Sequence, residues 1–148
     1  MKIYLDNCCF NRPYDDQGQL SVFLETQAKL QIQEGVRNKA IALIWSDMLD
    51  YENSANPDEV IRVEIAGWRD LASHIVTQAE EIRDTARNLN SLGFGRKDSL
   101  HISCAIYGKS DYFVTVDKGI LRKQDLVDKV RIISTIEMIR ILEGENEN

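Results

Sequence analysis

The sequence predicts an α/β fold in which a central parallel sheet of four or five strands lies between two layers of helices. Three observations support this fold class. Short apolar runs alternate with amphipathic segments along the 148 residues. The apolar runs lack in-and-out alternation, which is typical of strands covered on both faces. Most of these runs end in acidic or polar residues, as expected at the edge of a parallel sheet.

Composition and charge exclude several classes of protein. Hydrophobic residues make up 43% and charged residues 28% of the chain, which fits neither a disordered nor a membrane-spanning protein. The net charge of -6 excludes a general nucleic-acid coater, so binding to nucleic acid requires a local patch. The three cysteines form no even disulfide set and no CxxC zinc motif, and the first residues do not read as a signal peptide. We therefore expect a cytoplasmic protein.

The first half of the chain predicts two strand–helix units. Residues 2–5 form a β-prone run that places Asp6 at its carboxyl end. An amphipathic helix follows, and Gly35 is expected to end it. A second strand is predicted over residues 40–45. Ser46 then occupies the position of an N-cap for a short acidic helix.

The second half predicts further helices and two more strands. Asn56 and Pro57 have the pattern of a helix start, with a cap followed by proline at the first helical position. This helix is expected to run to about His74. The remaining predicted elements are a helix with capping-box spacing at Thr77 and Glu80, a helix opened by Asp98, strands over residues 112–116 and 130–133, and a final amphipathic helix.

Carboxylates recur where these strands end. Asp6 and Asp117 follow the first and third predicted strands, and Asp98 lies at a helix start between strands. The helix after the second strand carries three acids. They are Asp47, Asp50 and Glu52. Because the carboxyl ends of parallel strands share one edge, four separate segments are expected to bring carboxylates together.

A carboxylate cluster of this kind predicts a hard-cation site. Oxygen ligands suit Mg²⁺ or Mn²⁺ better than zinc, and without a cation the acids would repel one another. One or two divalent ions about 3.5–4 Å apart support in-line displacement at phosphorus. The pattern therefore favours phosphodiester hydrolysis, against the alternative that each acid is a helix cap or a solvated loop residue.

Four segments resemble the PIN-domain ribonucleases, a family that includes the toxins of bacterial toxin–antitoxin pairs. The segments are KIYLDNCCF, LDYENS, KDSLHISCA and YFVTVDKGIL. The resemblance implies a single PIN-like domain over residues 1–148, with a short polar tail at about residues 144–148. It also implies an α/β/α sandwich and a metal-dependent endoribonuclease that uses Mg²⁺ or Mn²⁺. The implied partners are RNA, an antitoxin protein or a second copy of the chain, without a membrane.

Motif matching to this family implies an acidic quartet that is both catalytic and metal-binding. Its members would be Asp6, Glu52, Asp98 and Asp117. Thr115 would be the hydroxyl that accompanies the last acid. Asp47 and Asp50 remain alternatives to Glu52, because the spacing of the second acid varies within the family.

The stretch around the third and fourth acids is basic, although the chain as a whole is acidic. Arg96, Lys97 and Lys118 flank the expected ligands. We therefore expect them to contact RNA phosphates on either side of the cleaved bond. The alternative is an ordinary solvated face.

Several other residues near these motifs have either a functional or a structural interpretation. His101, one helical turn after the third acid, either stands beside the metal or the phosphate or is a packed histidine. Cys8 and Cys9 are expected to be small buried residues, because soft thiolates do not suit a hard cation. Tyr51 is expected in the core, with stacking on a base by Tyr51 or Tyr14 as the alternative.

Two other functions are compatible with this type of fold. A PIN-like module that binds RNA or protein without useful catalysis would share the architecture, although all four acid positions still carry carboxylates. A phosphatase or receiver-like domain would also cluster aspartates at strand ends. It would need an adjacent acid pair after the first strand, where Asp6 is followed by Asn7.

Overall fold

A five-stranded sheet forms the centre of the computed structural model, which describes residues 1–146 and their side chains through Gly144. The strands are β1 (Lys2–Leu5), β2 (Ala42–Ser46), β3 (His74–Val76), β4 (Tyr112–Val114) and β5 (Arg131–Ile133). All neighbouring strands are parallel, in the order β3-β2-β1-β4-β5. The central strand β1 is wholly buried from Ile3 to Leu5, as expected of a strand covered on both faces.

Helices flank both faces of the sheet. They are α1 (Asn7–Asn11), α2 (Leu20–Arg37), α3 (Asp47–Ser54), α4 (Glu59–Ala66), α5 (Glu80–Ser91), α6 (Arg96–Tyr107), α7 (Lys118–Leu121) and α8 (Thr135–Asn146). Helix α2 packs against α8, and α5 packs against α6. The predicted fold class is therefore confirmed, with the sheet at five strands.

The sequence does not predict strand β3, because the helix expected from Asn56 includes His74, the first residue of this strand. The helix predicted from Asn56 to His74 is shorter at both ends. Asp58 caps α4, with its carboxylate 3.1 Å from the backbone nitrogen of Ile61. A 3₁₀ turn follows α4 and leads into β3. A strand of three residues has too little pattern of its own, and its pairing with β2 decides its conformation.

Gly35 does not end α2 as predicted, because the helix continues to Arg37. A Cβ atom on Gly35 would lie 2.6 Å from Cδ1 of Ile41. The carbonyl of Gly35 also accepts hydrogen bonds from the backbone nitrogens of Ala40 and Ile41, at 2.9 and 3.1 Å. The glycine therefore permits the close turn from α2 into β2.

Helix α2 exposes part of its apolar surface and buries two polar side chains. Phe23, Leu24 and Leu30 are 44–45% exposed, whereas Lys29 and Gln33 are buried. The helix turns a long methylene stem and an amide toward the protein interior. Ala28, Ile32 and Val36 are buried on the same helix, so the apolar pattern of α2 determines its buried face only in part.

Two predicted helix starts also change. The capping box at Thr77 and Glu80 is wrong, because Ala79 occupies the N-cap position of α5 without a side-chain hydrogen bond. Helix α6 begins at Arg96, so Asp98 lies in its first turn. An acid is favoured there by the helix dipole.

The predicted polar tail at residues 144–148 overlaps α8, which continues through Asn146. Residues 147 and 148 of that tail lie outside the described residues. Within the described part of the chain, no helix combines the length and the apolar character needed to cross a membrane.

Candidate active site

Four segments carry the predicted acids toward one edge of the sheet. Asp6 follows β1 directly, and Asp117 follows β4, which is the neighbour of β1. Glu52 lies on α3, directly after β2, and Asp98 lies in the first turn of α6. The topology thus places all four near the carboxyl ends of the three central strands.

The pKa of Asp98 reflects its burial and the charges of the other three acids. It is raised to about 6, first by burial and then by the charges of neighbouring carboxylates. Those neighbours are Asp6, Asp117 and Glu52. The four carboxylates therefore repel one another, and the cluster favours a bound proton or cation.

Asp6 is held rigidly by hydrogen bonds to both of its oxygens. Oδ1 accepts from the backbone nitrogen of Asn7 at 2.8 Å, and Oδ2 accepts from the Thr115 hydroxyl at 2.8 Å and from the Cys8 thiol at 3.4 Å. Burial raises the pKa of Asp6. The Thr115 hydroxyl also accepts from the backbone nitrogen of Asp117 at 3.1 Å. One hydroxyl therefore joins the first and the last acid.

Asp117 also caps the helix that follows it. Its Oδ1 accepts from the backbone nitrogens of Gly119 and Ile120, at 2.8 and 3.2 Å. Such a cap satisfies two of the free nitrogens at the start of α7. The predicted helix-cap alternative is therefore realised in this residue, and the charge of Asp117 also contributes to the raised pKa of Asp98.

Two of the three acids on α3 have partners away from the cluster. Asp47 accepts from the backbone nitrogen and from Nε2 of Gln78, each at 3.0 Å. Asp50 accepts from Nε1 of Trp45 at 2.9 Å and forms an ion pair with Arg69. Both acids therefore connect α3 to neighbouring structure.

Glu52 is the acid of α3 that interacts with the other carboxylates. Its Oε1 lies 3.3 Å from Nε2 of His101. Burial alone would raise the pKa of Glu52, but the hydrogen bond with His101 and the positive charge of Lys97 bring it below its ordinary value. Glu52 is therefore ionised at neutral pH.

Basic side chains lie beside the acids. Arg96 and Lys97 open α6, and Lys118 opens α7; all three are exposed. Lys123 differs from them, because its Nζ donates to the carbonyl of Gly93 at 2.5 Å. The first three are exposed to solvent, whereas Lys123 holds the loop before α6.

Cys8 and Tyr51 depart from prediction, whereas Cys9 does not. Cys8 is half-buried and its sulfur contacts Asp6, whereas Cys9 is buried as predicted. Tyr51 is 68% exposed, so its predicted place in the core is wrong. Tyr14 is 48% exposed. Both rings therefore offer surface on which a base could stack.

The donors have the chemistry of a site for a hard divalent cation. Carboxylate oxygens are the ligands that Mg²⁺ and Mn²⁺ prefer, and the raised pKa of Asp98 reflects a repulsion that a cation would relieve. Asn7, which no sequence motif singled out, has a buried Oδ1 without a hydrogen-bond partner and interacts with Glu52. Among the described residues, however, no three histidine, cysteine or acidic side chains converge closely enough to hold one ion.

The protein therefore belongs to the class of parallel α/β sandwiches, and its acid cluster lies near the carboxyl ends of the strands. The fold is similar to that of a chain in the crystal structure of VapBC2 from Rickettsia felis bound to a DNA fragment from their promoter. The TM-score is 0.56, and the match covers 90% of this chain and 98% of that chain.

This similarity concerns the fold, because only 12% of the residues are identical. No family model matches the sequence, and no curated protein matches it. The architecture is consistent with the PIN-like fold implied by the sequence motifs.

Proposed function

We propose that the protein is a divalent-metal-dependent endoribonuclease that hydrolyses phosphodiester bonds in single-stranded or structured RNA. The observation that carries this proposal is the placement of four acids from four segments near the carboxyl ends of neighbouring parallel strands, with Asp6 and the backbone of Asp117 both bonded to the Thr115 hydroxyl. Because the fold is similar to that of a chain of VapBC2, we also propose that the protein is the toxin of a toxin–antitoxin pair and has an antitoxin protein as its partner.

In this proposal the four acids lie on two sides of the site. Asp6 and Asp117, joined through Thr115, form the rigid side of the site. Asp98 and Glu52 approach from α6 and α3. When bound, Mg²⁺ or Mn²⁺ would neutralise the cluster, activate a water molecule and stabilise the leaving oxygen.

RNA cleavage with controlled metal content tests the proposal directly. The purified protein is expected to cleave single-stranded RNA with Mn²⁺ or Mg²⁺ and to be inactive in EDTA. The same ions should raise the melting temperature, because only the folded chain gathers the ligands. RNA binding without cleavage under all metal conditions would contradict the proposal and support a catalytically inactive RNA-binding module.

Three amide substitutions on α3 identify the second acid. Glu52→Gln is expected to lower kcat/KM by about a hundredfold, because it removes a charge from the reacting centre. Asp47→Asn should retain nearly full activity. Asp50→Asn should retain activity but lose about 1–2 kcal/mol of stability, because the Trp45 indole loses a charged acceptor. Cleavage at the wild-type rate by Glu52→Gln would remove this residue from the proposed quartet.

The salt dependence of RNA binding tests the phosphate contacts. Three contacts by Arg96, Lys97 and Lys118 predict a log–log slope of about -2 on single-stranded RNA. The double variant Lys97→Ala/Lys118→Ala, measured in a cleavage-deficient background, should reduce it to about -0.7. Lys129→Ala is a suitable control because Lys129 is exposed in the loop before β5, at the opposite edge of the parallel sheet from the strand ends near the acids. An unchanged slope in the double variant would show that these lysines are only a solvated face.

A further inference from the structure

A chain of buried hydrogen bonds connects the interior of the sheet to Glu52. Nε2 of His101 lies 3.3 Å from Oε1 of Glu52, and Nδ1 of His101 lies 2.7 Å from the Tyr4 hydroxyl oxygen. That oxygen lies 2.6 Å from Oγ of Ser46. His101 is 1% exposed, and Tyr4 and Ser46 are wholly buried. These three side chains therefore cannot contact RNA directly.

The donor and acceptor roles show how the imidazole is held. A carboxylate only accepts, so the nitrogen that faces Glu52 carries a proton whether the ring is neutral or charged. In the neutral ring, Nδ1 needs a donor, and the Tyr4 hydroxyl is in position to be that donor. Ser46, which accepts from the backbone nitrogen of Leu49 at 3.2 Å, then donates to Tyr4. Every member of the chain is satisfied.

This chain of hydrogen bonds begins and ends on the same helix. Ser46 is the N-cap of α3, and Glu52 lies further along α3. The links between them pass through β1 and α6. Because Asp98 lies one turn before His101 on α6, the chain fixes the helix of one acid relative to the helix of another.

We infer that Tyr4, Ser46 and His101 are positioning residues that hold the Glu52 carboxylate in the acid cluster, with His101 as the group that contacts it. The expected effect on RNA cleavage rests on the proposed function, whereas the expected effect on the nitrogen signals of the imidazole does not. Outer groups that orient a metal-binding side chain contribute about 10–100-fold to metal affinity or activity. A buried phenol and imidazole are therefore expected to affect a site that they do not line.

Tyr4→Phe tests the inference because it removes a single oxygen and keeps the ring. Mn²⁺ affinity and kcat are each expected to fall about tenfold, with the KM for RNA unchanged. Tyr112→Phe is the matched control: it makes the same change on the neighbouring strand β4, where the ring contacts Arg131. It should leave both quantities unchanged.

A conservative replacement of the histidine provides a second test. His101→Gln keeps an N–H donor for Glu52, whereas His101→Leu removes it. The Gln variant is expected to bind Mn²⁺ more tightly than the Leu variant. Equal affinities would overturn the assignment of His101, and the comparison remains valid if Tyr4→Phe is too unstable to purify.

Nuclear magnetic resonance of the imidazole nitrogens separates this inference from the proposed function. The protein has two histidines. The exposed His74 serves as an internal reference. Tyr4→Phe should shift the His101 nitrogen signals and leave those of His74 unchanged, even in a protein that cleaves no RNA. Unchanged His101 signals would overturn the inference, and so would wild-type Mn²⁺ affinity in Tyr4→Phe. A shifted His101 signal with no cleavage by the wild-type protein would contradict only the proposed function.

Discussion

Asp98→Asn is expected to abolish RNA cleavage and to stabilise the protein in the absence of metal. The loss in kcat should be about a hundred- to a thousandfold, because one of the four charges that would balance the cation is removed. The gain in stability has a separate cause. The folded protein raises the pKa of Asp98 from its ordinary value of 3.8 to about 6, so the ionised carboxylate destabilises the folded state at neutral pH.

The sign of this effect gives a pH-dependent measurement. A raised pKa contributes stability below pH 3.8, and this contribution is lost as the pH rises through about 6. Denaturant unfolding in EDTA should therefore show a small difference between Asp98→Asn and wild type at low pH. At pH 7.5 the variant should be more stable by about 1–2 kcal/mol, after allowance for partial exposure.

Two further substitutions control this experiment. Asp128→Asn changes an exposed loop acid in the same way and should alter neither cleavage nor stability. Asp6→Asn should also abolish cleavage, with a smaller gain in stability than Asp98→Asn, because the relief of a buried charge is offset by the loss of hydrogen bonds that the Asp6 carboxylate accepts from Thr115 and Cys8. A wild-type cleavage rate in Asp98→Asn would exclude Asp98 from the reaction.

Lys29→Met is expected to stabilise the protein by about 1–3 kcal/mol at pH 7. Lys29 is only 3% exposed, and burial lowers its pKa from 10.5 to about 8. A shift of this size corresponds to about 3 kcal/mol of destabilisation of the charged form. Its ammonium group also lies over the rings of Phe10 and Trp68, at 5.4 and 5.8 Å. Those contacts offset part of the desolvation, which gives the lower bound.

The pH dependence of unfolding verifies this cause. Because the folded state loses the Lys29 proton first, wild-type stability should gain a rising contribution from Lys29 between about pH 8 and 10.5. Lys29→Met should lack that contribution. Lys129→Met replaces an exposed lysine and should keep it. A destabilised Lys29→Met would show that the ring contacts outweigh the cost of burial.

The local sequence was sufficient to predict that Asp6 and Asp117 lie where strands end. Asp6 and Asp117 each follow a short apolar run that became β1 or β4. Strand ends can be recognised locally, because a buried run must give way to polar residues where the chain leaves the sheet. Parallel topology then predicts that such ends share an edge, without any knowledge of side-chain contacts.

Sequence alone did not determine which acid of α3 interacts with the cluster. Asp47, Asp50 and Glu52 are chemically similar and lie on one short helix. Their partners come from distant segments: Gln78 for Asp47 and His101 for Glu52. Contacts of this kind depend on how helices and strands are packed, which no local pattern encodes.

Helix α2 and strand β3 illustrate the same division. The sequence determined that residues after Leu20 form a helix, because local propensity and periodicity depend on near neighbours. Only the tertiary structure decided that α2 buries Lys29 and exposes Leu24, and that His74 begins a strand. The physical reason is that burial and strand pairing are set by the whole set of competing surfaces, whereas periodicity reports only which residues of one segment share a face.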